Sequence, residues 1–177
     1  MKVISLLQPW ASLAVLGHKK LETRSFNTKH RGPLLIHACK NPKFVETNNQ
    51  SCDGELIEWL EKINMLYQSD YAYPFGAIIG QVNIVDTFQF SDDAQKQLQA
   101  YKAEENPWIP YREGGNNFDS LEEEDEWQDN IIKEMAFGVF DKGRYGWLLS
   151  NPIVFEEPIP AKGMQGFWNY DLHSVAP

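Results

Sequence analysis

The sequence predicts a mixed α+β fold: a small β-barrel with helices at its mouth and surface insertions. Two observations carry this reading. Roughly five or six short strand patterns and two or three helical ones alternate along the chain, beginning with a strand. The 177 residues, 42% of them hydrophobic, suit one core, so residues 1–177 read as a single domain. Two stretches of different character interrupt the pattern, a helical one at about 42–72 and an acidic one at 104–134.

Lys2 to Leu7 is rich in β-formers and reads as the first strand. Pro9 then opens a short helix, because the first helical turn leaves its missing N–H without consequence. Trp10, Leu13, Ala14 and Leu16 follow at near-helical spacing, and Gly17 stops the run by adopting a left-handed cap. A charged loop from Gly17 to Arg24 follows. Leu34 to Ala38 is a short buried-type strand behind a Gly32-Pro33 turn.

Within 42–72, Leu56, Ile57, Leu60, Ile63 and Tyr67 recur at spacings of three and four, with Glu55, Glu58 and Glu61 off that face. Ala77 to Asp86 is the clearest strand, Val82, Ile84 and Phe88 sharing one parity. A short polar helix with Ser91 as cap is expected over 91–103. The 104–134 segment reads as irregular surface chain with an acidic run, Glu122 to Glu126, that ends in a short helix from Ser120. Strands are expected again at Phe137 to Phe140, Tyr145 to Leu149 and Val154-Phe155. Pro158 to Pro160 and Gly163 then form a turn, and Gln165 to Trp168 closes the core.

The net charge of −9 argues against a polyanionic partner until its distribution is considered. Residues 1–43 carry eight Lys/Arg against the single acid Glu22, a local excess of +7, whereas residues 104–134 alone sum to −9. The basic third is where a phosphate backbone would be attracted. No apolar run is long enough to cross a bilayer, and Gln8 and Pro9 interrupt the N-terminal apolar stretch before it could be a signal peptide. Cys39 and Cys52 have no metal-ligand spacing, so neither metal nor cofactor is expected, and the cysteine usage suits a reduced, cytoplasmic protein. Neither a Gly-rich phosphate loop nor a Ser/His/Asp order stands out.

The densest chemistry lies in Gly17-His18-Lys19-Lys20-Leu21-Glu22-Thr23-Arg24. A lysine, a carboxylate and an arginine in one short segment supply donors of fixed charge and an acceptor, which suits a planar polar ligand. Each also has a structural alternative. Lys19 and Glu22 can be a plain ion pair, and Arg24 can tie the segment to carbonyls or to Glu22. Gln8 can cap the helix or touch a base edge. Trp10, Trp147 and Trp168 suit the core better than a stacking platform, and His37 suits a hydrogen-bonded core histidine. Lys29 and Arg31 can be solvated charges.

Gln8-Pro9-Trp10-Ala11-Ser12, the pattern Gly17-x-Lys19-x-x-Glu22-x-Arg24, and His30-Arg31-Gly32-Pro33-Leu34 together resemble the ASCH (activating signal cointegrator homology) domain. Gly80-Gln81-Val82 and Tyr145-Gly146-Trp147 look like strands of the same family. The resemblance implies a PUA-like barrel with a cleft beside the first helix, and binding of RNA or other nucleic acid, often around a modified base. It implies that Lys19, Glu22 and Arg24 line that cleft; Gln8 and Trp10 are further ligand-binding candidates, and the basic Lys20, Lys29 and Arg31 are candidates for the nucleic-acid backbone. Some small relatives hydrolyse N-acetylated cytidine with a threonine where Glu22 stands here. The carboxylate removes that chemistry, and the neighbouring Thr23 would face the opposite way along extended chain.

Three functions follow as expectations. The first is a module that binds RNA or a modified nucleobase, free or in a strand. The second is a hydrolase acting on a modified nucleoside or RNA, with Lys19 and Glu22 as the catalytic acid–base pair. The third is a protein–protein adaptor whose acidic insert is the docking surface.

Overall fold

The computed structural model describes residues 1–46, 54–66, 71–99 and 130–172. Six strands are assigned among them: β1 (Lys2–Leu6), β2 (Leu21–Arg24), β3 (Gly32–Ala38), β4 (Ala77–Gln89), β5 (Tyr145–Pro160) and β6 (Phe167–Asn169). The helices are short: α1 (Trp10–Val15), α2 (Lys43–Glu46), α3 (Gly54–Lys62) and α4 (Ala94–Gln99), with a further helical stretch over 130–136. The sheet runs β2-β5-β4-β3-β1-β6. β1 and β3 are parallel and every other neighbouring pair is antiparallel. This is the expected mixed α+β class, with the sheet curled into a half-barrel.

Period-two patterning explains the core. Ile4 and Leu6 of β1, Leu34, Ile36 and Ala38 of β3, Val82 and Ile84 of β4, and Trp147 and Leu149 of β5 share the inner face with Ala11, Ala14 and Val15 of α1. The opposite parity is also covered: Val3, Leu35, Ile78 and Trp168 form an outer cluster under Phe155 and Ile159. Leu56 and Leu60 of α3 pack with Leu13 and Phe137, as the three-and-four spacing predicted, while Tyr67 lies outside the described residues. Gly17 takes φ +80°, the left-handed turn that releases the chain from α1.

The half-barrel is not closed by backbone pairing, since no β2–β6 ladder is present among the described residues. Side chains span that seam. Trp147 of β5 stacks on Phe167 of β6 with centroids 5.2 Å apart and planes 3° from parallel. Phe26 sets its edge against both rings, at 5.4 and 6.4 Å. Arg24, at the end of β2, reaches the Ser5 carbonyl at the end of β1.

Several boundaries differ from the sequence reading. The charged loop is partly strand: Leu21–Arg24 pairs with Leu148 to Tyr145 at the edge of the sheet, with Leu21, Glu22 and Thr23 all buried. Gly32 and Pro33 belong to β3, paired with Ile84 and Asn83, and β4 runs on to Gln89. Residues 137–140 are not a strand. Phe137 is buried against Leu13 while Val139 is exposed, and Gly138 lies so close to Thr23 and Phe140 that a Cβ would meet atoms at 2.8 and 2.9 Å. The two expected late strands are one. β5 passes through Asn151-Pro152 as an irregularity, with Asn151 at φ +47°, and loops out between Val154 (opposite Gly80) and Ile159 (opposite Ile78). Ser91 is not an acceptor cap. Its hydroxyl donates to the Asp93 carbonyl, and Gln97 Oε1 accepts from the Ser91 N–H instead. Most of 104–134, including the acidic run, Trp108, Trp127 and the helix expected from Ser120, lies outside the described residues, as does Cys52.

Candidate functional site

β2 divides its side chains between two surroundings. Leu21 and Thr23 face a cluster built on Phe90 and the 137–140 turn, where the Thr23 hydroxyl oxygen accepts from the Val139 N–H at 3.0 Å. Glu22 and Arg24 take the other face, with Trp147 as the register partner of Glu22. Arg24 Nε lies 2.9 Å from Glu22 Oε1, but without an aligned hydrogen bond. Its guanidinium carbon stands 5.9 Å from the Trp147 ring. Lys19 Nζ is 3.7 Å from Glu22 Oε2. Its ammonium is only 1% exposed and donates to the carbonyls of Leu21 at 2.6 Å and Phe137 at 2.8 Å. The three charges of the motif thus converge in a row, and Arg24 is the most open of them.

The remaining motif residues are distributed around this row. Gln8 is buried, donates to the Pro74 carbonyl and accepts from the Ser12 N–H, so it holds the first turn of α1. Trp10 sits edge-on to Phe44 and packs on the Leu13 cluster. The Lys20 side chain borders a separate small hollow of about 210 Å³ between Gly17 and the Asn151-Pro152 irregularity. Arg31 bonds Asp86, Thr87 and two carbonyls of its own loop. Lys29 is exposed.

A larger cleft, about 870 Å³, opens beside Arg24. Ser5, His37, Cys39 and Lys40 line it from the ends of β1 and β3, and the 160–166 segment, with Lys162, lines it from across the sheet. Arg24, Lys40 and Lys162 bring positive charge to it, and no acid is among its lining residues within the described part of the chain. Gly76 lets the Lys40 stem lie flat against the chain, since a Cβ there would fall 2.7 Å from it. Burial pushes the Cys39 thiol pKa up, against the pull of Arg24. His37, lodged against the 160–166 segment, is lowered below its ordinary 6.5 by burial, which outweighs its bond to the Ala161 carbonyl.

Lys40 and the buried His37 were legible as charge and pattern, but neither was assigned to a site from the sequence. Parity was an available signal: on extended chain His37 and Cys39 share a face. Lys162 is far away in sequence and carried no local signal. Glu134 was counted only as part of the acidic segment. It is fully buried, and its two oxygens accept from the Lys20 N–H at 2.6 Å and the Leu21 N–H at 3.1 Å. Burial raises its pKa, opposed by the charge of Lys19 and by these hydrogen bonds. It thus braces the start of β2 from the helical stretch 130–136.

Among the described residues no group of His, Cys, Asp and Glu is arranged to hold a metal ion, and no helix is long and apolar enough to cross a membrane.

Comparison with known proteins agrees with the motif. The family model of the ASCH domain matches residues 4–158. Activating signal cointegrator 1 of Mus musculus is 36% identical over 97 residues, which is 54% of this chain and 15% of that protein. The Homo sapiens protein of the same name is 35% identical over the same length and share. The chain therefore spans only about 15% of the length of these relatives. Among solved structures, ASCH from Zymomonas mobilis superimposes with a TM-score of 0.47 at 13% identity, covering 98% of this chain and 90% of that one. A point mutant of it gives 0.46 at 15%, covering 98% and 92%. The chain belongs to the ASCH domain family.

Proposed function

We propose that this ASCH-family chain binds single-stranded RNA, seating a nucleotide in the cleft between Arg24, Lys40 and Lys162. The observation that carries the reading is the charge of that cleft. An arginine and two lysines line it, with no acid among the described residues, in a chain whose net charge is −9. Residues 104–134 alone sum to −9, so the net charge says little about the rest of the chain, and cations gathered in one cleft attract a strand to that place. The family as a whole is linked to RNA binding, which favours the same reading.

In this proposal Arg24 is the motif residue that touches the ligand. Glu22 fixes its guanidinium, and Lys19 stands behind Glu22, so both are positioning residues. Gln8 and Trp10 act through the packing of α1. The acid–base reading of Lys19 and Glu22 draws no support from this geometry, because the Lys19 ammonium is engaged by two carbonyls and Glu22 by Arg24.

The test is an anisotropy titration of a labelled single-stranded RNA against salt. Each phosphate contact on a single strand changes the slope of log affinity against log salt by about 0.7. Lys40→Ala/Lys162→Ala should therefore flatten the slope by about 1.4. Lys142→Ala, which removes an exposed lysine paired with Asp92 outside the cleft lining, should leave it unchanged. No binding at low salt, or an unchanged slope in the double variant, would overturn the proposal.

A further inference from the structure

We infer that Ser5 and His37 form a hydrogen-bonding subsite at the cleft floor that reads the edge of a nucleobase, as distinct from the phosphate held by the surrounding cations. This inference rests on the RNA-binding reading and specifies which part of the ligand reaches the floor.

Ser5 and His37 are register partners on the parallel strands β1 and β3. They continue a row whose preceding pair, Val3 and Leu35, is fully buried and apolar. At the strand ends this row changes from hydrocarbon to a hydroxyl and an imidazole, and there it meets the cleft. The imidazole is 2% exposed. Its Nε2 lies 3.1 Å from the Ala161 carbonyl, which can only accept, so Nε2 carries the proton. Burial keeps the ring neutral, which leaves Nδ1 as a lone-pair acceptor. That Nδ1 has no hydrogen-bond partner among the described residues. Ser5 Oγ accepts from Trp168 Nε1 at 3.1 Å, which leaves its own O–H to donate.

The floor therefore offers an acceptor beside a donor. A phosphate has no N–H to give Nδ1, whereas the Watson–Crick edge of a base presents a donor next to an acceptor. Buried acceptors are rarely left unpaired in folded proteins, so an unpartnered one in a ligand-sized cleft points to a partner supplied from outside. The covering element is the segment between β5 and β6. A Cβ on Gly163 would fall 2.7 Å from His37 Nδ1 and 3.0 Å from Ser5 Oγ, so the bare Gly163 backbone caps the pair. The base edge takes the place of that cap when the segment shifts. Gly166, at φ +68°, gives the segment a second glycine near the start of β6.

The experiment compares short oligo(C) RNA with an abasic ribose-phosphate strand of equal length, by anisotropy and by ¹⁵N spectra of the histidine rings. The base-bearing strand should bind wild type about tenfold more tightly, the worth of a hydrogen bond to a buried acceptor. His37→Phe and the milder Ser5→Ala should each lose most of that difference, and the His37 Nδ1 resonance of wild type should move with oligo(C) alone. Equal binding of both strands, with Nδ1 unmoved, would overturn the base-edge subsite while leaving phosphate binding intact. Failure of both strands to bind at low salt would overturn the RNA reading and the subsite with it.

Discussion

Replacing Glu134 by alanine should cost more stability than any exposed charge in the protein. Its carboxylate accepts from two backbone N–H groups, those of Lys20 and Leu21, at a site with no solvent exposure. Alanine leaves both donors unpaired, and each orphaned group costs about 1–3 kcal/mol. The sum is about 2–6 kcal/mol, a large share of the 5–15 kcal/mol typical of a domain. Lys19 adds little to the loss, because its ammonium keeps the Leu21 and Phe137 carbonyls and its neighbour Glu22. Glu134→Gln retains one acceptor oxygen and should lose about half as much, roughly 1–3 kcal/mol. Urea denaturation followed by circular dichroism would read both values. An unchanged denaturant dependence would show that the native state alone is affected. Amide exchange at Lys20 and Leu21 should rise in the alanine variant. A Glu134→Ala protein within about 0.5 kcal/mol of wild type, the range of ordinary surface changes, would refute the reasoning.

Glu134 also predicts a pH dependence. Its folded pKa is raised above 4.5, so the folded state holds its proton longer than the unfolded chain does. Stability relative to Glu134→Gln should therefore fall as pH rises from 4.5 through the raised value, and a rise in matched urea titrations would contradict this. His18 and His37 act at the other side. Both are lowered below 6.5, chiefly by burial, so wild type should lose stability as pH falls through 6.5, a loss that His37→Phe reduces; an unaltered profile in that variant would remove His37 from the account. Within the acidic segment, deleting residues 104–127 should leave the fold intact by circular dichroism. Extending the deletion through 134 should unfold it, because Ile131 is buried against Leu21 and Phe90, and Glu134 braces β2; equal behaviour of the two deletions would refute the distinction.

Local patterns carried most of the fold. The parity of Val82 and Ile84, the Pro9 and Gly17 ends of α1 and the face of Leu56 and Leu60 reappear because each is decided by nearest neighbours in the chain. What was misread depended on distant pairing. Asn151-Pro152 reads locally as the end of a strand, yet the β4 ladder carries β5 across it. Phe137 and Val139 alternate like a strand but have no partner strand among the described residues. At the candidate site, the Lys19–Glu22–Arg24 row was legible as a motif. That Lys19 would be spent on carbonyls was not, since one of them belongs to Phe137. Nor could one sequence foretell that a loop more than a hundred residues away would bring Lys162 and Gly163 over His37.

The unpaired seam between β2 and β6 has a mechanical consequence. In a closed barrel, strand number and stagger determine the girth, and any change of girth breaks ladder hydrogen bonds. Here, among the described residues, the last span of the circumference is made by side chains: the stacked rings of Trp147 and Phe167, the edge of Phe26, and the reach of Arg24 to Ser5. Rings slide over one another without a directional bond to rupture. The girth of this protein should therefore adjust like a belt at its buckle, in steps smaller than a residue. A spin label on each side of the seam would read that adjustment as a spread of distances, which Phe167→Ala should broaden; a distribution equally narrow in both would show that the buckle is fixed.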